Sequence, residues 1–161
     1  MEVELTVFVR ALIALVLSGA LGWEREAAGK SAGVRTHMLV GLASALFVIL
    51  GELFVQRSMD AGDQMRFDPI RIVEAVVTGV SFLGAGTIFV SRGKDRVRGL
   101  TTAASILLTA AVGMMVGLAF HLMAAGITVM VLVVLHGMDF LKPNKTRKSH
   151  DSEGGKTGSN R

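Results

Sequence analysis

Five times along this chain an apolar stretch of about 18 to 22 residues lies between short charged clusters, each long enough to cross a hydrocarbon core of ~30 Å. Backbone N–H and C=O groups in such a solvent must be satisfied within the element that crosses it, so each stretch is read as a helix. The pattern places spans at 5–22, 36–55, 70–90, 100–117 and 120–141, and the fold class is an all-α bundle of about five transmembrane helices. The last two runs are nearly continuous. Forty apolar residues in one helix would reach ~60 Å at 1.5 Å per residue, so a tight turn is expected between Gly117 and His121. Asp68-Pro69 reads as a helix start, because the carboxylate accepts from free N–H groups and proline fits the first turn.

Charge is sparse and clustered. Only 19% of the 161 residues are charged, and the mean hydropathy is +0.54. The pI near 10 does not point to nucleic acid: residues 1–141 balance eleven bases against eleven acids, and the excess lies in residues 142–161, with six bases and two acids. This sets a division into a membrane domain, 1–141, and a basic, aromatic-free tail, 142–161, expected to be disordered and cytoplasmic. The chain has no cysteine, which removes disulfides and thiolate chemistry. "MEVEL" lacks the basic start of a signal peptide, so the first span is expected to be retained. With the tail, the loops 23–35 and 91–99 collect thirteen Lys and Arg on one side, against two in the loop between the second and third spans. The positive-inside bias then puts the N-terminus outside and the C-terminus in the cytoplasm.

Small residues mark where helices touch in lipid, since association there rests on close packing. In the fourth span Thr101, Ser105, Thr109, Gly113 and Gly117 recur at i+4, and Ala14, Ser18 and Gly22 repeat the pattern in the first. In the third span Arg71, Glu74, Thr78, Ser81 and Ala85 share one stripe, bordered by Gly79 and Gly86. This polar stripe is expected to face the bundle. Ile72, Val73, Val76, Val77, Val80, Ile88 and Gly84 are then expected to face lipid.

Arg10, Glu52, Arg71 and Glu74 are the ionisable groups near one end of the spans. They form either an interfacial salt-bridge layer or a cation or proton site with Glu74 and Glu52 as oxygen ligands. No nucleophile–histidine–acid set, phosphate loop or zinc spacing is present. The chain is therefore read as non-enzymatic, with no catalytic residue, cofactor or resident metal.

Three segments, "GWEREAAGKSAGVRTHMLVGLASALF", "RIVEAVVTGVSFLGAGTIF" and "VRGLTTAAS", resemble in order and spacing the signature segments of the MgtC/SapB family of bacterial membrane proteins. The matching positions are Glu24, Arg25, Lys30, Gly33, Arg35, Thr36 and His37, then Gly79, Phe82, Gly84 and Gly86, then Arg98, Gly99, Thr101 and Thr102. Thr101 stands where the virulence branch carries asparagine, Leu107 and Leu108 replace its tryptophan, and Glu74-Ala75 replaces its alanine–glutamine pair. The resemblance implies a bacterial inner-membrane protein with the hydrophobic domain of the family and without its soluble C-terminal domain. It also implies a tie to magnesium limitation and acid stress, and membrane partners that include the proton-translocating ATP synthase. Two functions are carried forward: a regulator of other membrane complexes in magnesium, cation or proton homeostasis, and a small cation transporter or channel using Glu74. A homo-oligomer is considered with the second, because homodimerisation would restore the symmetry that five spans in one chain lack.

Overall fold

A computed structural model describes residues 1–60, 68–90 and 98–140, and all of its regular structure is helical. Among the described residues the helices are α1 (Glu2–Ala27), α2 (Val34–Asp60), α3 (Pro69–Val90), α4 (Leu100–Gly117) and α5 (His121–Phe140). The first four are long and apolar enough to cross a membrane, and α5 is apolar over His121–Gly137. The loop bases Arg66, Arg92, Lys94 and Arg96, and the tail 142–161, lie outside the described residues.

Helix ends follow local chemistry. Asp68 accepts the Ile70 N–H at 3.0 Å where α3 begins. α1 runs past its apolar stretch through Trp23, Glu24 and Arg25, because glutamate and arginine are good helix formers. It closes where Gly29, at φ +64°, donates to the Glu26 carbonyl and Lys30 donates to that of Arg25, the paired bonds of a Schellman stop. The same pair of bonds ends α4, from Ala119 to Val116 and from Phe120 to Met115, with Ala119 at φ +64°. This is the turn that the length of the apolar run requires.

The core is a triangle of α1, α2 and α4, with α5 laid on α1 and α4, and α3 laid chiefly on α4. Half of the spanning window of α4 is buried but only 17% of that of α3, so α4 is the central helix and α3 a peripheral one. The triangle closes through small residues. A methyl group on Gly113 of α4 would overlap the backbone carbonyl of Gly41 in α2, and one on Gly41 would overlap the hydroxyl of Ser18 in α1. One turn along, a methyl group on Gly117 would lie 2.8 Å from the Ala45 carbonyl oxygen. Ser105, Thr109, Gly113 and Gly117 form a buried edge of α4 as the i+4 spacing predicts, but Thr101 is exposed and Thr102 is the buried threonine.

The expected orientation of α3 is reversed. Val76, Val80 and Gly84 form its buried edge, whereas Arg71, Glu74, Thr78, Ser81 and Ala85 all point away from the bundle. The residues share a stripe, but on the opposite side from the one expected. α4 meets α3 with small apolar side chains: the position of a Gly84 Cβ lies 3.4 Å from Ala103 Cβ. Branched valines and a glycine fit that surface without stranding a carboxylate. Gly84 is thus the packing glycine, while Gly79 and Gly86 have no neighbour of this kind within 4 Å.

Backbone in van der Waals contact cannot retreat as a side chain can. Gly113→Ala should therefore lower detergent-solubilised stability by about 1–3 kcal/mol, seen as a fall in melting temperature. Gly126→Ala, where the space beside the glycine is open, should leave melting unchanged or raise it slightly.

Candidate functional site

The ionisable side chains that join the core helices gather at the two ends of the triangle, separated along α1 by about 22 Å, fifteen residues at 1.5 Å each. At one end Arg10 of α1 donates to Glu52 Oε2 of α2 at 2.7 Å, and the same nitrogen donates to the Gly117 carbonyl of α4 at 3.1 Å. One guanidinium thus joins all three core helices and satisfies a carbonyl left free at the C-terminus of α4. Of the four charges expected to cluster here, the structure brings together only Arg10 and Glu52. Arg71 and Glu74 are exposed on α3 and form no ion pair among the described residues.

At the other end Glu24 and Arg25 pair through both carboxylate oxygens, Arg25 Nη2 donating to Glu24 Oε1 at 2.6 Å and Nε to Oε2. Arg25 is only 2% exposed. Glu26 accepts the Val34 N–H at 2.9 Å and so caps α2 from the preceding helix. A methyl group on Gly33 would overlap the Glu26 carboxylate, and one on Gly22 would sit 2.7 Å from Val34 Cα, so both glycines allow the α1–α2 hairpin to close. His37 is fully buried. Its Nδ1–H donates to the Gly33 carbonyl at 2.9 Å, and its Nε2 lies 3.2 Å from Ser105 Oγ of α4. Ser105 Oγ also lies 2.8 Å from the Thr102 carbonyl. The histidine therefore ties the hairpin to the central helix.

The signature positions divide accordingly. Glu24, Arg25, Gly33 and His37 meet at this end, with Thr102 close by through Ser105, while Lys30 is half-buried and Arg35, Thr36 and Thr101 are exposed. Gly99 holds φ +92° before α4, a conformation that glycine adopts without strain, and Arg98 beside it is exposed. Phe82 is 80% exposed and lies on the outer side of α3 with Gly79 and Gly86. Sequence reasoning missed three partners: the Gly117 carbonyl for Arg10, the Val34 N–H for Glu26 and Ser105 for His37. The last had a signal, since Ser105 lies on the small-residue edge of α4.

Between α2 and α3 a groove of about 970 Å³ opens along the outside of the bundle, lined by side chains such as Leu39, Phe47, Phe54, Ile72 and Leu83, with Asp68 and Arg71 at one end. Among the described residues no group of three or more His, Asp or Glu is placed to hold a metal ion.

Apolar helices packed through glycine, with the paired charges drawn to the two ends of the core, define a polytopic α-helical membrane protein. The sequence model of the MgtC family matches residues 11–143. The chain belongs to that family. It is 41% identical over 140 residues to "Putative magnesium transporter YhiD" of Escherichia coli strain K12, covering 85% of this chain and 64% of that one. It is 38% identical over 121 residues to Protein MgtC of Brucella abortus strain 2308, covering 75% and 46%. It is 36% identical over 139 residues to Protein SrpB of Synechococcus elongatus, covering 83% and 75%. The chain thus spans less than two thirds of YhiD and about half of the Brucella protein. No solved structure matches it significantly.

Breaking the Glu24–Arg25 pair from one side leaves a buried guanidinium without its counter-charge. Glu24→Gln should cost about 3 kcal/mol or more, whereas the double replacement Glu24→Leu with Arg25→Met should recover most of that loss. Melting of the variants in one detergent gives the comparison.

Proposed function

We propose that this membrane protein is a non-enzymatic regulator of the bacterial inner membrane, acting on other membrane complexes in magnesium, cation or proton homeostasis. One observation carries the reading: the ionisable groups that an ion path through the bundle would use are either spent in holding helices together or turned outward. Arg10 and Glu52 bind each other and the Gly117 carbonyl, His37 is held by Gly33 and Ser105, and Glu74 faces away from the core. Such a bundle offers the membrane a rigid body with polar and aromatic groups on its outside, suited to contact with another protein. The proton-translocating ATP synthase is a partner of the kind the family resemblance implies. Magnesium enters through the relative YhiD, a putative magnesium transporter by name.

The second reading, a small cation transporter or channel, is favoured by that same name and by an exposed carboxylate at Glu74. Two measurements separate them. Affinity capture from membranes of cells grown in low magnesium should return a second membrane protein in stoichiometric amount. The purified chain in liposomes should then pass no Mg²⁺ or H⁺ above protein-free vesicles. Saturable flux that is lost in Glu74→Gln while the protein stays folded would overturn the regulator and establish the transporter.

A further inference from the structure

The outward face of α3 has a definite period. Arg71, Thr78 and Ala85 are seven residues apart, and so are Glu74, Ser81 and Ile88, the second set three residues after the first. Two interleaved sevens at that offset are the a and d positions of a heptad, the seam of a left-handed pair of helices. Arg71, Glu74, Thr78, Ser81 and Ala85 are all exposed, and Ile88 at the far end is half-buried. The seam also carries one positive and one negative charge, neither in an ion pair among the described residues.

We propose that α3 is the seam of a parallel homodimer, in which Arg71 of each chain pairs with the partner's Glu74. The occupant is argued from charge. Every copy inserts in the same orientation, so a two-fold axis along the membrane normal sets α3 beside an identical, parallel α3 at equal depth. Arg71 and Glu74 lie three residues apart, about 4.5 Å along the axis, within reach of a long arginine across the seam. Two chains then form two equivalent ion pairs and the four charges cancel. A carboxylate facing lipid costs free energy, and the second copy removes that cost while placing Thr78, Ser81 and Ala85 where small side chains let helices approach. The proposal is independent of whether the protein regulates or transports.

The chain has no cysteine, so single cysteines report without background. In the full-length protein, reconstituted at low density in phosphatidylethanolamine and phosphatidylglycerol vesicles, Thr78→Cys, Ser81→Cys and Ala85→Cys should each oxidise to a disulfide-linked dimer. Val73→Cys and Leu83→Cys, exposed but off the seam, should yield at least tenfold less. These substitutions leave both charges in place, so the result does not depend on a charge variant folding. In the Ser81→Cys background, Arg71→Glu alone and Glu74→Arg alone should each cut the dimer about tenfold. Mixing the two should restore it as a heterodimer of the oppositely charged chains. Equal yields around the helix, no dimer at the seam positions, or charge reversals that leave the yield unchanged would overturn the proposal.

Discussion

Everything in this bundle depends on how closely three backbones approach at Ser18, Gly41 and Gly113. Lipid offers helices no hydrophobic reward for meeting, so contact has to come from packing. A glycine of α4 set against the carbonyl of a glycine in α2 brings the two helices to near their minimum separation. That separation in turn sets which other groups can touch. Arg10 reaches both α2 and α4 with one nitrogen because the three helices converge there. His37 reaches Ser105 across the same α2–α4 contact. Larger residues at Gly41 or Gly113 would move both polar clusters apart as well as opening the core.

The polar clusters differ in what they can give. Arg10 and Glu52 lie near the ends of their spans and partly open to the surroundings, Glu52 with 44% of its side chain exposed, so either can turn toward the headgroup region if its partner is lost. Arg25 is buried, and the worth of its pair is in what its loss would leave behind. Both clusters act mainly as geometric fixings that hold a set of helix positions in a solvent where nonspecific packing is permissive. α3 lies outside this framework. It meets α4 through valines and Gly84, whose Cβ position lies in ordinary contact with Ala103, 3.4 Å from its Cβ and 3.6 Å from its backbone, where the glycines of the triangle would overlap theirs. A helix outside the core triangle thus carries the charged outward stripe.

Much of this was legible in sequence, and the places where it was not are instructive. Apolar run length located the helices, since lipid thickness is a hard constraint, and Asp68-Pro69 marked the start of α3. The i+4 edge of α4 was readable because its small residues have one use. The stripe on α3 was readable as a stripe, but periodicity says which residues share a face and not which way the face points. The expectation that polar means inward failed here because Ala103 of α4 offers α3 only an apolar surface. Gly84 lacked any role in sequence for the same reason. Of the four candidate charges, Arg10 and Glu52 are forty-two residues apart and meet only because α1 and α2 pack antiparallel; Arg71 and Glu74 are neighbours in sequence and do not join them.

The central claim is that α3 turns Val76, Val80 and Gly84 toward α4 and leaves its charged stripe outside. A disulfide tests this directly, because Cβ atoms about 3.5–4.5 Å apart can be bridged without moving backbone. The Gly84 position and Ala103 are at 3.4 Å. Gly84→Cys with Ala103→Cys should therefore form an intramolecular bond in membranes under mild oxidation, seen as a shift in electrophoretic mobility without dimer. Ala85→Cys with Ala103→Cys should not. Bridging from position 85 in place of 84 would turn the stripe inward and contradict the account.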